Sequence, residues 1–166
     1  MTVMVGMGVP GCAAAGDTGP GRPGQGFVEL DRNGLEVLNR HQCLKLLASA
    51  TLGRVGITLG ALPVILPVNF RLVAERILFR TGAGTKLAAA TRNIVVAFEV
   101  DAIDPLSDDG WSVVVTGCAR RLHEPARLEA LAAADIPGRR WSRSDHVVEV
   151  STDMITGRRL LPPGER

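Results

Sequence analysis

Tyrosine is absent from these 166 residues, and aromatics make up only 4% of them. Single-stranded nucleic acid is held by aromatic stacking within a cationic groove. Neither feature is present. Charge of one sign is scarce too: 19 Lys and Arg against 17 Asp and Glu leave a formal net charge of +2. The basic residues are dispersed, so no run marks a duplex-binding footprint. No apolar run approaches the roughly 18 residues a membrane span needs. The start, MTVMVGMGVPGCAAAGD, lacks a basic region, and Gly and Pro break its apolar stretch. It does not read as a signal peptide. The three cysteines, Cys12, Cys43 and Cys118, are odd in number and far apart. That supports neither a disulfide framework nor a CxxC metal site. A reducing cytoplasm and no membrane are expected. Cys43 and Cys118, in apolar periodic segments, read as ordinary buried thiols.

What is present is enough chain for one domain with a real core, burying roughly 70% of its unfolded surface. Residues 1–26 are rich in Gly and Pro without periodicity. They read as a disordered leader, with residues 27–166 as the folded domain. Asn39 can cap a helix over 40–49, with Cys43, Leu44, Leu46 and Leu47 at helical spacing and Gly53 as its stop. Strands are expected at 54–59, 62–73 and 76–81, joined by the two-residue turns Gly60-Ala61 and Ala74-Glu75. Pro63 and Pro67 lack ladder donors, so the second strand should have an edge or a bulge there. A short helix over 85–91 follows. Strands at 93–103 and 111–122 flank a turn-rich loop, and Gly117 suggests a bulge or a close backbone approach. A helix over 125–134 and a last strand within 145–160 complete the chain. Two-residue turns make neighbouring strands antiparallel. Six such strands suggest a small closed or partly closed barrel. Runs such as VVV and IVVAF imply cover on both faces, from the core inside and from helices or a second subunit outside.

The stretch RTGAGTKLAAATRN (80–93) carries the main chemical signal. Its glycines let backbone N–H groups approach an oxyanion. A helix N-terminus adds unpaired N–H groups and partial positive charge. Thr85 offers a hydroxyl, Lys86 a full charge, and Arg80 or Arg92 a second one. A glycine turn before a capped surface helix would look the same. It is not a Walker A loop, whose GxxxxGK[ST] spacing is missing, and no GxGxxG follows a strand. His41, His123 and His146 lie in no metal-ligand spacing. Asp101, Asp104, Asp108 and Asp109 flank a loop and read as turn formers. No Ser-His-Asp or Cys-His set is legible.

Taken in order, LGRVGI (52–57), LPVILPVNF (62–70), ILFRTGAGTKLAAA (77–90), VAFEVDAID (96–104), GWSVVVTGCA (110–119) and ITGRRL (155–160) resemble the pyridoxamine 5'-phosphate oxidase-like, FMN-binding split-barrel proteins. The branch most similar is the small flavin and deazaflavin reductases. The resemblance covers about residues 35–160. It implies a mainly β, six-stranded antiparallel Greek-key split barrel with a few short flanking helices. It also implies a homodimer with one flavin in each of two interface clefts. The FMN phosphate would sit on Arg80, Thr81, Thr85 and Lys86. The second strand would run along the flavin ring through Pro67, Val68 and Asn69. Trp111 and Ser112, at the start of the fifth strand, would also reach the ring. The namesake oxidase carries a C-terminal Arg-x-His that this chain lacks: its tail reads TGRRLLPPGER. Trp141 and Arg158 or Arg159 stay near the implied cleft, but vitamin B6 oxidation is not expected.

The function expected on this resemblance is a flavin-dependent oxidoreductase using FMN, or a deazaflavin coenzyme in its place. It would pass hydride from a reduced nicotinamide or deazaflavin to a small-molecule electron acceptor. The alternative is a non-catalytic flavin- or heme-binding protein for storage or sensing.

Overall fold

A computed structural model of the chain describes residues 28–82, 93–104, 106, 109–122, 125, 135–136 and 146–160. The leader, the loop at 83–86, Trp141, His123 and the expected helices at 85–91 and 125–134 lie outside these residues, except for Pro125. The described elements are strand β1 (Glu36–Leu38), helix α1 (Arg40–Ser49), and strands β2 (Leu52–Leu59), β3 (Leu62–Val73), β4 (Arg76–Thr81), β5 (Ile94–Asp104), β6 (Asp109–Arg121), β7 (His146–Val150) and β8 (Met154–Arg159).

Every pairing is antiparallel. Six strands close a barrel in the order β2-β3-β4-β7-β6-β5, while β8 and then β1 extend from β6. The expected six-stranded barrel is therefore present. The C-terminal stretch corrects the expectation of one strand, because 145–160 holds two. Both lie along the same edge of the long strand β6: β8 pairs with Trp111–Thr116 and β7 with Ala119–Arg121. The link between them, Ser151–Asp153, carries no Gly or Pro to announce a break. The inward positions change parity across it, from Val148 and Val150 in β7 to Ile155 and Gly157 in β8, so the alternation breaks there.

Gly117 sits at that handover. A β-carbon placed on it would lie 1.9 Å from the Ser151 carbonyl oxygen. Here the backbones approach as the sequence suggested. Cys118 N donates to Ser151 Oγ at 2.9 Å, and Ser151 N donates to Cys118 O at 3.1 Å. These bonds splice β7 to β8 across the gap.

The alternation of β2, β5 and β6 sends Val55, Ile57, Val96, Phe98, Val100, Val113 and Val115 into the barrel. Phe70 and Phe98 meet edge-to-face there, with ring centroids 5.0 Å apart. Helix α1 covers the core beside β8 with Cys43 and Leu47. Asn39 and Gln42 form a capping box at its start, so two orphan N–H groups are satisfied reciprocally. Gly53 does not stop this helix. It belongs to β2, where a β-carbon would strike the Phe98 ring at 2.4 Å, so it makes room for the core aromatic. Cys43 is a buried free thiol, as expected. Cys118 is disulfide-bonded, which corrects its reading as an ordinary thiol. An odd count spread over the chain carries no pairing signal.

Both residues of each two-residue turn have positive φ: Gly60 and Ala61 at 53° and 67°, Ala74 and Glu75 at 47° and 59°. That is the hairpin geometry whose twist suits the strands. Non-glycine residues pay strain for it. Glu75 is held from outside, its carboxylate by Arg40 at 2.8 Å and its carbonyl by the Thr152 hydroxyl at 2.9 Å. Pro63 and Pro67 face the edge of β3 that β4 leaves uncovered, since β4 pairs only with Phe70–Val73. That is the edge their missing donors required.

Candidate functional site

Strand alternation builds one outward surface from β3, β2, β5, β6 and β8. Asn69 pairs with Leu52, Arg54 with Glu99, Asp101 with Ser112, and Ser112 with Arg158. Leu52 and Asp101 lie one step beyond the Arg54–Glu99 pair on the same faces of their strands. Asn69, Leu52, Asp101, Ser112 and Arg158 thus form one row across five strands. Phe70 pairs with Phe79, so Arg80 extends this row on β4 next to Asn69. Three strand spacings, roughly 14 Å, separate Asn69 from Ser112.

The expected site residues divide accordingly. Pro67 and Asn69 are exposed on the outward surface. Val68 lies between them, and its side chain is buried in the barrel core, so only its backbone remains for a ligand. Arg80 is half-buried and donates to Ile136 O at 2.7 Å. Thr81 is buried at the end of β4 and pairs with His146, whose ring contacts the Arg121 guanidinium. Thr85 and Lys86 lie outside the described residues. Trp111 is half-buried and packs against the core, while Ser112 faces outward. Of these residues, Arg80 and Asn69 are neighbours, and Trp111 and Ser112 are neighbours. Within one chain the two pairs stand apart.

Trp111 and Ser112 border a cleft of about 250 Å³, lined also by Glu99, Asp101, Arg158 and Arg159. Its charges are organised. Arg54 donates to Asp101 at 2.5 Å and to Glu99 at 3.0 Å. The Asp101 bond, then the Glu99 bond, holds the Arg54 guanidinium above its usual range. On the opposite wall, Arg158 Nε donates to Asp31 at 2.9 Å and Arg159 Nη1 donates to Glu36 at 2.9 Å. The Asp31 carboxylate also accepts the backbone N–H groups of Asn33 and Leu35. Those backbone bonds, Leu35 first, and then Arg158, hold it below the usual carboxylate range. Sequence reasoning missed the Arg54, Asp31, Glu36 and Glu99 members of this network and read Asp101 as a turn former. The available signal was the period-2 placement of Glu99 and Asp101 in an otherwise apolar strand.

Among the described residues, no group of three or more His, Cys, Asp or Glu side chains could hold a metal ion. No described helix is long and apolar enough to cross a membrane. Burial pushes the Cys43 thiol above its ordinary value.

A family model described as pyridoxamine 5'-phosphate oxidase matches residues 39–159. An uncharacterized protein from Mycobacterium tuberculosis is 37% identical over 131 residues, covering 75% of this chain and 84% of that protein. The solved FAD binding protein from Mycobacterium smegmatis is 38% identical with a TM-score of 0.66, covering 75% of this chain and 96% of that one. A putative pyridoxamine 5'-phosphate oxidase from Corynebacterium glutamicum is 27% identical with a TM-score of 0.65, covering 76% and 93%. The match spans the barrel from the cap of α1 to the end of β8, and by it the chain belongs to the pyridoxamine 5'-phosphate oxidase family.

Proposed function

We propose that this protein is a flavin-dependent oxidoreductase that binds FMN between two copies of the chain. The observation that carries the reading is the outward row holding Arg80 and Asn69 at one end and Ser112 at the other. Asn69 and Ser112 lie too far apart in one chain to hold the edge of a single ring. A second copy packed on the same surface brings one chain's Asn69 close to the other's Ser112. That surface is suited to be covered. Leu52, Ile65, Val95 and Met154 are each more than half exposed on it, and contiguous exposed apolar residues mark association sites.

Arg80 and Thr81, with Thr85 and Lys86, would bind the phosphate. The 38% identical relative is an FAD binding protein, which supports a flavin and makes FAD the first competitor of FMN. A bound flavin supplies hydride and electron transfer. The chain's own residues then need only bind, orient and exclude water: Asn69 and Ser112 by hydrogen bonds, Trp111 as an apolar wall. This accords with the missing acid–base constellation. The donor would be a reduced nicotinamide or deazaflavin, and the acceptor a small molecule.

The test is spectroscopic. Purified protein should be a yellow dimer whose flavin absorbance bleaches with NAD(P)H under nitrogen. Yellow protein that no donor bleaches would favour a storage role. A Soret band, or uptake of deazaflavin in preference to FMN and FAD, would replace the cofactor in this reading.

A further inference from the structure

Cys118 is disulfide-bonded. Cys43 is a free thiol, buried on the inner face of the sheet against Gly157. The chain has one other cysteine, Cys12. Within one chain, elimination leaves Cys12 as the partner of Cys118. Cys118 faces outward on β6, in line with Val114 and Thr116. Val95 pairs with it from β5, while Thr116 has Ala97 on one side and Met154 of β8 on the other. Val95, Met154 and Val114 are 62%, 66% and 39% exposed. Neighbouring exposed apolar residues of this kind mark association sites. The patch stands apart from the charged row: Cys118 lies roughly 20 Å along β6 from Ser112.

We propose that the N-terminal segment docks on this patch and is locked there by a disulfide between Cys12 and Cys118, so that oxidation closes the patch and reduction opens it. The chemistry of the segment matches. Residues 3–16 read VMVGMGVPGCAAAG, and no charged side chain precedes Asp17. The chain from Cys12 to Val28 reaches up to about 50 Å when extended, so length does not limit the contact. Docking raises the effective concentration of one thiol at the other. Closure is a thiol–disulfide exchange: two protein thiols and one small disulfide, such as oxidised glutathione, give the protein disulfide and two small thiols. Each protein thiol gives up one hydrogen, and the two electrons reduce the small disulfide. Val95 and Met154 belong to the surface proposed above for the second copy. The segment and the second copy therefore exclude each other, and the thiol state sets assembly. That consequence rests on the dimer reading; the docking itself does not.

The experiment equilibrates the full-length protein in glutathione redox buffers, alkylates the free thiols and reads tryptic peptides by mass spectrometry, with sedimentation of the same samples. The peptides of Cys12 and Cys118 should be joined, with Cys43 left as a thiol. Val95→Asp should lower the oxidation equilibrium constant at least tenfold. Val9→Asp, which alters no barrel residue, should do the same and covers the case in which Val95→Asp fails to fold. The reduced protein should dimerise at least tenfold more tightly than the oxidised one, and Cys12→Ser should dimerise alike in both buffers. Cys118 joined to its counterpart in a second copy, no joined peptide, an oxidation constant indifferent to Val9→Asp, or an oxidised protein that dimerises as tightly as the reduced one would each overturn the proposal. A disulfide sensitive to Val9→Asp in a protein that is monomeric in both buffers would sink the second-copy reading and leave this one standing. A flavin-loaded dimer without the disulfide would do the reverse.

Discussion

Gly117→Ala tests the splice between β7 and β8. The added methyl would lie 1.9 Å from the Ser151 carbonyl oxygen and 2.8 Å from its carbonyl carbon. Both are backbone atoms, so no side-chain rotation relieves the overlap. Ordinary contact begins near 3.4 Å, so the two backbones must separate by more than 1 Å. The two bonds between Cys118 and Ser151 then break. Each contributes about 1 kcal/mol net, and a buried group left unpaired costs about 1–3 kcal/mol. A loss of roughly 2–5 kcal/mol follows, a large share of the 5–15 kcal/mol typical of a domain. For a domain of this size it corresponds to a fall in Tm of roughly 5–15 °C. Gly56→Ala is the matched control. Its methyl would meet the Ala97 β-carbon at 3.5 Å, ordinary contact on the same sheet. Urea and thermal unfolding of both variants, followed by circular dichroism, make the comparison. If Gly117→Ala stays within 0.5 kcal/mol of the parent, or the two variants fall together, the backbone contact does not hold the barrel shut.

Asn39→Ala removes the capping box and should cost about 1 kcal/mol in urea unfolding. Arg54→Ala should cost more than the roughly 0–1 kcal/mol of a solvent-exposed pair, because the proposed second copy covers the Glu99 and Asp101 pairs; a loss within that range would argue that the surface stays open in solution. The Asp31 carboxyl is held below its free value near 3.8. The stability it confers is therefore complete above that value and disappears as pH falls through the lower folded value. Melting curves of the parent and Asp31→Asn should differ at pH 6 and draw together as pH falls below 3.8 through the lowered folded value. Lys86→Ala should weaken FMN by roughly 1.5–3 kcal/mol, the worth of a hydrogen bond to a charged group, and make binding less salt-sensitive. Unchanged affinity in a flavin titration would detach the 83–86 loop from the phosphate.

Much of the barrel is legible in the sequence because local chemistry decides it. Asn39 three residues before Gln42 announces α1, the two-residue turns announce the β2–β3 and β3–β4 hairpins, and two prolines four apart identify the open edge of β3. What escapes the sequence depends on partners far along the chain. Gly53 follows a helix and looks like its terminator; only the Phe98 ring, on another strand, shows why the position must be glycine. The break between β7 and β8 leaves only a faint signal, a change of inward parity from Val148 and Val150 to Ile155, with no Gly or Pro between to mark it. Strand β1, three residues long, is too short for any period to register.

The site divides in the same way, and the division bears on assembly. The motif at 80–86 is continuous in sequence, so a phosphate cradle can be proposed from residues alone. The charged cleft is not continuous: Asp31, Arg54, Glu99 and Arg158 come from four separate segments, and each looks like a solvated surface residue until strand register joins them. Register also shows that Asn69 and Ser112 lie on one surface of one chain yet cannot meet within it. A surface whose complementary residues are held apart inside each copy, and whose intervening positions are Leu52 and the Arg54 network, can place them side by side only by packing on its twofold-related self. On the proposed reading, the flavin site is completed only when two copies pack together. A monomer that still binds flavin with full affinity would refute it, because the ring would then have to be held from one end of the row alone.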